Sequence, residues 1–221
     1  MESRLDALTS TGRALLGVIT PELRAVVVDL VEDVFYINFY YDGEVSEDLI
    51  DLWDCAITEA SAGLDSNFGL DEYIERLDYP QKIPRSGTFA YLRKEPYVLD
   101  LYGLEKESKF LLKEDLFFVE REAGPLKSYG GILLAAQRAL LGVVTPELRA
   151  VVVDFDDEEL YVRFYYNGEV SLELIHEWED AIAQINIDMY SYRSANGLVV
   201  RLDYPQEIFF RGRYAYLRKE R

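Results

Sequence analysis

Residue types that carry out nucleophilic or metal chemistry are rare in this chain of 221 residues. One histidine, His176, and one cysteine, Cys55, occur at unrelated places, so no Cys–His pair recurs. Structural zinc sites use several Cys and His ligands, and a Ser–His–Asp triad depends on a histidine beside its nucleophile. Phosphate-binding loops of the GxxxxGK[ST] and GxGxxG types do not occur. We therefore predict a protein that is not an enzyme, with no catalytic residues, no metal ligands and no cofactor, and we place His176 on the solvated side of a helix.

Carboxylates, by contrast, are abundant, and one group of six surrounds the expected start of a helix. Their spacing does not match the D-x-[DN]-x-[DN]-G pattern of an EF-hand loop, so it does not indicate a calcium site. Negative side chains could instead bind Lys and Arg of a protein partner. The strand before them carries tyrosines on one face, and tyrosine is common at interfaces. The predicted partner-binding residues are Asp42, Glu44, Glu47, Asp48, Asp51, Asp54, Tyr36 and Tyr40.

The chain contains an internal repeat with a register of 125 positions. The string RALLGVITPELRAVVVD at 13–29 returns as RALLGVVTPELRAVVVD at 138–154, and YLRKE at 91–95 returns at 216–220. About 95 residues is a common size for an independent core. We therefore predict a first repeat at 1–95 (copy one), an ordered connector at 96–125 and a second repeat at 126–221 (copy two).

Each copy predicts the element order α-β-β-α-β-β. A helix should end near Gly17, and a second should begin after the N-cap Ser46 and run to about residue 62. Two hairpins joined by the second helix would give an α+β fold, a four-stranded and mainly antiparallel sheet with both helices on one face. The predicted strands of copy one are 23–30, 34–41, 74–79 and 88–94.

Side-chain alternation in the second strand predicts its two faces. Phe35, Ile37 and Phe39 should point into the core, while Tyr36 and Tyr40 should lie on an amphipathic outer face. The equivalent tryptophans of the two copies are predicted core anchors. In the string RLDYP, an arginine and an aspartate could form a structural ion pair or contact a partner. These residues are Trp53, Trp178, Arg76 and Asp78.

Charge and hydropathy limit the classes of partner. The net charge is −18, which argues against direct binding of nucleic acid, because phosphate contacts need clustered Lys and Arg. Copy one has 19 acidic and 8 basic residues, a net of −11, whereas copy two has 15 and 11, a net of −4. This excess could serve solubility, or it could attract a basic protein. The sequence shows no apolar run long enough to cross a membrane and no signal peptide for secretion. A single cysteine is typical of a cytoplasmic protein, so we predict a cytoplasmic location.

Four strings resemble a family of small bacterial cytosolic proteins, the immunity proteins of polymorphic and contact-dependent toxin systems. They are LRAVVVD, FYYDGEVSED, IERLDYP and AYLRKE, and they cover both repeats but not the connector. The resemblance implies a non-enzymatic protein that binds and blocks a toxic nuclease domain. The tandem duplication departs from the single unit expected of that family, so it leaves open which copy binds.

Two functions remain open. The first is an immunity protein that neutralises a basic, nuclease-like toxin through the acidic residues of copy one. The second is an assembly module in which Tyr-rich sheet faces associate. The copies differ most at 61–73 and 81–88, and loops are where function usually varies on a fixed scaffold. We therefore expect the function to lie in these segments and in the charge of copy one.

Overall fold

The computed structural model describes residues 4–64, 68–84, 86–95, 129–156, 159–189, 194–209 and 211–220. The connector predicted at 96–125 lies outside these residues. Copy one consists of α1 (Arg4–Ala14), β1 (Leu23–Val31), β2 (Val34–Tyr41), α2 (Glu47–Ala62), β3 (Gly69–Arg76) and β4 (Thr88–Leu92). Copy two repeats this order as α3 (Tyr129–Leu140), β5 (Leu148–Phe155), β6 (Glu159–Tyr166), α4 (Leu172–Asp188), β7 (Ser194–Arg201) and β8 (Arg213–Leu217).

Each copy forms one four-stranded sheet, with the order β3-β2-β1-β4 in copy one and β7-β6-β5-β8 in copy two. The central pairs and the β4 and β8 edges are antiparallel, whereas β2–β3 and β6–β7 are parallel. The predicted α+β class and element order are confirmed. The predicted second hairpin is wrong, because β3 and β4 lie at opposite edges of the sheet. The α2 crossover carries the chain back to the starting end of β2, and this makes β3 a parallel neighbour.

Helix α2 follows its sequence signals closely. The Ser46 hydroxyl accepts a hydrogen bond from the Leu49 N–H at 3.3 Å, and this caps the first turn. Trp53 on the inner face is fully buried, with its ring 6.4 Å from Phe39 and 5.4 Å from Tyr41 between centroids. The burial predicted for Trp53 and for its equivalent Trp178 is confirmed.

The outer face of the sheet is covered by the chain itself. In copy two, Tyr165 packs with Leu202 and Ile208, which belong to the segment between β7 and β8. The equivalent Tyr40 is only 4% exposed, and Tyr36 is half-buried. The prediction of an open face edged with phenols is therefore wrong for Tyr40, because the segment after β3 folds back over it.

Strand β3 begins earlier than predicted, at Gly69 instead of residue 74. It pairs with β2 along its full length, from Val34 opposite Gly69 to Tyr41 opposite Arg76. The last five residues of the variable segment, 69–73, are therefore part of an edge strand and not of a loop. Among the described helices, none is long and apolar enough to cross a membrane.

Candidate functional site

Four of the predicted acidic residues share the exposed side of α2. We call Glu47, Asp48, Asp51 and Asp54 the acidic stripe. Residues 47, 51 and 54 are four and three positions apart, so they project from one face of the helix. All four side chains are exposed, and among the described residues none of them forms an ion pair. Their charge is therefore directed towards solvent or a partner.

The remaining two predicted carboxylates are engaged within copy one. Asp42 accepts hydrogen bonds from Arg93 at 3.2 Å and from the Tyr79 N–H at 3.3 Å. Glu44 pairs with Arg76, although its side chain is 89% exposed. Asp42 thus connects the end of β2 to the segment after β3. Asp42 and Glu44 differ from the acidic stripe because both form ion pairs within copy one.

The ion pair predicted within RLDYP is present. Arg76 Nε lies 2.9 Å from Asp78 Oδ1, and the Gly43 N–H donates to the same oxygen at 2.8 Å. The hydrogen bond from Arg76, followed by that from Gly43, lowers the pKa of Asp78 from its ordinary value. Copy two repeats this arrangement with Arg201 and Asp203, so we assign it to the scaffold.

The most buried charged group, Arg24, was not singled out in the sequence. Its side chain is fully buried and binds Glu95 through Nε–Oε1 at 2.6 Å and Nη2–Oε2 at 2.7 Å. Its guanidinium also donates to the carbonyls of Leu77 and Gln81. Arg24 therefore fastens the segment that covers the outer face. An arginine at the start of an otherwise apolar strand, LRAVVV, present in both copies, was the available signal.

The equivalent surface of copy two has half as many carboxylates. The six predicted acidic positions correspond there to Asn167, Glu169, Leu172, Glu173, His176 and Glu179. Leu172 is 74% exposed, which makes this face partly apolar. The exposed position predicted for His176 is confirmed. The acidic stripe is thus a property of copy one and not of the shared scaffold.

Edge strand β3 extends the negative surface of copy one and was not among the predicted site residues. Asp71, Glu72 and Glu75 correspond to Asn196, Gly197 and Val200 in copy two. Helix α2 packs against β3. Glu72, opposite Ile37, lies on the side of the sheet that faces this helix, whereas Asp71 and Glu75, opposite Tyr36 and Tyr40, lie on the outer side. Charge on an edge strand also opposes edge-to-edge pairing with another chain. We name the acidic stripe of α2 and the neighbouring Glu72 of β3 together the acidic face.

A groove of about 440 Å³ borders the acidic stripe where the two copies meet. Copy one contributes most of its lining, and Lys219 reaches it from copy two. The equivalent lysine, Lys94, forms an ion pair with Glu177 of α4. Leu52 occupies the position equivalent to Glu177, so the same ion pair cannot form at α2. The groove is lined by Thr20, Pro21, Glu22, Glu44, Val45, Ser46, Asp48, Leu49 and Lys219.

Among the described residues, no group of three or more His, Cys, Asp or Glu side chains is placed to hold a metal ion. Cys55 is exposed and unpaired on α2.

The stability of copy two should depend on pH through Glu220. Its hydrogen bond from Arg149 lowers the pKa of Glu220 from the ordinary value of 4.5. Ionised Glu220 therefore stabilises the fold above about pH 4.5, and this contribution is lost as the pH falls through the lower pKa of the folded state. We expect urea unfolding to show a decline in this range that Glu220→Gln flattens. Glu207→Gln, at an exposed loop position, is the control, and an equal effect of both substitutions would contradict the assignment.

The fold and this surface define a tandem-repeat α+β protein whose two copies share a scaffold and differ in the charge of one face. The model of the MafI2 immunity protein family matches residues 4–95 and 130–220, once in each copy, and the chain belongs to this family. The resemblance to immunity proteins predicted from the sequence is thereby confirmed. No curated protein matches the chain.

Proposed function

We propose that the protein binds a basic, nuclease-like toxin directly through the acidic face of copy one and thereby blocks it. The family is one of immunity proteins, and this supports a toxin as the partner. The observation that carries the choice of surface is the acidic stripe, whose four carboxylates are exposed and without ion pairs among the described residues. The corresponding positions of copy two include a leucine and a histidine.

A nuclease supplies the matching chemistry. Enzymes that act on nucleic acid carry Lys and Arg that contact phosphates. A surface of unpaired carboxylates would attract such a toxin over a distance and then occupy the cations that otherwise bind the substrate. Binding should therefore weaken as salt concentration rises, because screening acts most strongly on exposed charges.

The position of the acidic stripe is compatible with a broad contact. It lies on a rigid helix that is capped by Ser46 and anchored by Trp53. It is bordered on one side by the groove at Lys219 and adjoins β3 on another. A partner that covered α2 would thus also reach a concave feature, and shape could add specificity to the charge.

The assembly module is less well supported. Its proposed contact surface contained Tyr40 and its equivalent Tyr165, and these are 4% and 7% exposed because chain segments cover them. One observation supports a second candidate, a contact between copy two and a protein partner: copy two has exposed apolar side chains. Leu172 is 74% exposed and Phe209 is 83% exposed. Such residues are typical of interfaces when they cluster.

The test uses matched charge reversals at equivalent positions of the two copies. Asp48→Lys/Asp54→Lys alters copy one, and Glu173→Lys/Glu179→Lys makes the same change of charge in copy two. The binding partner in this test is a purified toxin domain that the protein neutralises, and its affinity is measured by calorimetry at low and moderate salt. We expect the copy-one pair to raise the Kd by about 100-fold or more, and the copy-two pair to raise it by less than about tenfold.

An unchanged Kd for the copy-one pair would contradict the proposal. Leu172→Ala/Phe209→Ala is the third variant, and it separates the two surfaces. A loss of binding only in this variant would move the contact to these exposed apolar residues of copy two. If neither the copy-one pair nor the apolar variant lost binding, and the toxin was still neutralised, both proposed contacts would be excluded.

A further inference from the structure

The two copies contact each other through a reciprocal set of backbone hydrogen bonds. The Gly17 N–H donates to the Leu217 carbonyl at 2.8 Å, and the Gly142 N–H donates to the Leu92 carbonyl at 3.0 Å. Each group in the first bond is 125 positions from its counterpart in the second. A contact in which residue i meets j and the equivalent of j meets the equivalent of i is an isologous, twofold contact.

A second pair of bonds follows the same rule. The Lys94 N–H donates to the Val144 carbonyl at 2.9 Å, and the Lys219 N–H donates to the Ile19 carbonyl at 3.0 Å. Short parallel bridges accompany them, Arg93 with Val144 and Ile19 with Arg218. In each copy, the residues just after the edge strand, β4 or β8, therefore pair with the turn that follows the first helix of the other copy.

Apolar side chains fill the space between these bonds in equivalent pairs. Tyr91 is 6% exposed and its equivalent Tyr216 is 4% exposed. The cavity left among them is only about 30 Å³, so the contact is closely packed. Its lining includes the equivalent pairs Leu15 and Leu140, Leu16 and Leu141, Ile19 and Val144, Ala90 and Ala215, and Tyr91 and Tyr216. This is the composition of a dimer interface, formed here within one chain.

The symmetry is broken where helices α1 and α3 meet. Gly12 and Gln137 are equivalent positions, and they face each other. A Cβ placed on Gly12 would lie 1.3 Å from Gln137 Nε2 and 2.4 Å from Gln137 Cδ. The glutamine amide therefore occupies the space that a side chain at position 12 would need.

We infer that the repeat is a dimerising unit, that each copy has another copy of the repeat as its partner, and that Gly12 and Gln137 make copy one pair with copy two. Pairing copy one with copy one would set glycine against glycine and leave a gap. Pairing copy two with copy two would place two glutamine amides in one space. Only the pairing of copy one with copy two fills this space with a single glutamine side chain.

This preference has a consequence for the tandem chain. Two self-associating units on one polypeptide could also pair between chains and form open assemblies. The unlike pairing, together with the high effective concentration of linked units, favours closure within the chain. The acidic face of copy one then remains available for a partner, although the inference does not depend on the nature of that partner.

The experiment uses the full chain with a protease site inserted within residues 96–125. After cleavage, we expect the two halves to remain associated and to elute together as a 1:1 complex in size-exclusion chromatography with light scattering. Separation of the halves at about micromolar concentration would overturn the inference that the contact is a dimer interface.

Three variants test the specificity pair. Gly12→Gln places two amides in one space and should raise the Kd between the cleaved halves by about tenfold or more. Gln137→Gly leaves a gap and should raise it less. The exchange Gly12→Gln/Gln137→Gly again sets one glutamine against one glycine, with the two positions exchanged. The Kd should therefore return to within about threefold of the parent value.

The exchange variant keeps the test decisive. Replacing a helical glycine with glutamine favours the helix intrinsically, so weaker association of Gly12→Gln would not arise from loss of α1, and circular dichroism verifies this. An exchange variant no better than the two single changes combined would show that residues 12 and 137 do not act as a pair, and would overturn that part of the inference.

Discussion

Replacing Arg24 with methionine is expected to lower the free energy of unfolding of copy one by about 3–5 kcal/mol. The substitution keeps most of the side-chain volume but removes the guanidinium that binds Glu95 through two hydrogen bonds. The Glu95 side chain is only 2% exposed, so its carboxylate would stay buried with a single remaining cation, Arg93. The carbonyls of Leu77 and Gln81 would lose their donor as well.

The equivalent substitution Arg149→Met is the matched control for this prediction. Arg149 has the same set of partners, Glu220 and the carbonyls of Leu202 and Gln206. The Glu220 side chain is 24% exposed, so water can hydrate its carboxylate when the arginine is removed. We therefore expect a smaller loss than for Arg24→Met, by about 1–2 kcal/mol.

Each copy contains one tryptophan, so the two losses can be measured separately. Trp53→Phe leaves Trp178 as the fluorescent reporter of copy two, and Trp178→Phe leaves Trp53 for copy one. Urea unfolding of each arginine variant in the matching single-tryptophan background gives the free energy for the altered copy. The double change Arg24→Met/Glu95→Gln should recover part of the loss, because it also removes the buried charge. No recovery would argue against an uncompensated carboxylate as the cause.

Local signals in the sequence predicted most of the fold. The run of valines, the Ser46 cap and the alternation of Phe35, Ile37 and Phe39 each indicate an element or a face without any long-range contact. The order of the strands could not be obtained this way. Whether β3 pairs with β2 or β4 depends on which open edge the chain reaches after α2, and periodicity contains no information about that choice.

The burial of the outer sheet face was also beyond local reasoning. Tyr40 alternates with core residues as an exposed tyrosine also would, and only the covering segment decides its environment. That segment is held by Arg24, whose partner Glu95 is 71 positions away. A charged residue in an apolar strand signals that a partner must exist, because an isolated buried charge is very costly. It does not identify the partner.

The candidate site was predictable to the extent that it depends on helical spacing. The sequence predicted the helix that carries the four residues of the acidic stripe, because the Ser46 cap fixes its start, and the structure shows all four on its exposed side. Asp42 and Glu44 were grouped with them by sequence proximity, yet they bind Arg93 and Arg76. Asp71 and Glu72 were missed because their segment was taken for a loop, and Glu75 was placed in a strand but not selected, although the comparison with copy two already showed these differences in charge.

Trp53→Ala and Trp178→Ala should each lower the free energy of unfolding of their own copy by about 3–5 kcal/mol. Both side chains are fully buried, and both rings pack against a tyrosine at 5.4 Å between centroids. Alanine would leave a large cavity between the helix and the sheet. The measurement is urea unfolding, with the remaining tryptophan reporting on the unaltered copy and far-ultraviolet circular dichroism on both copies together, so the altered copy is obtained from the difference.

Phenylalanine at the same positions separates the two sites. Trp178 Nε1 donates to the Val143 carbonyl at 3.4 Å, whereas Trp53 Nε1 is buried and has no hydrogen-bond partner among the described residues. Trp178→Phe therefore loses a hydrogen bond, while Trp53→Phe removes an unsatisfied donor. We expect Trp53→Phe to be less costly by about 1 kcal/mol, and equal costs would contradict this account of the indole groups.

The same substitutions connect the core to the proposed binding surface. Trp53 lies on the inner side of α2, opposite the acidic stripe, so it fixes the orientation of the helix that presents those carboxylates. Trp53→Ala should weaken toxin binding even in buffer where copy one remains folded, because a less firmly packed helix holds its charges less rigidly. Trp178→Ala should leave the affinity unchanged under the same conditions. Equal losses of affinity in both variants would mean that the toxin contact depends on both copies and not on the acidic face alone.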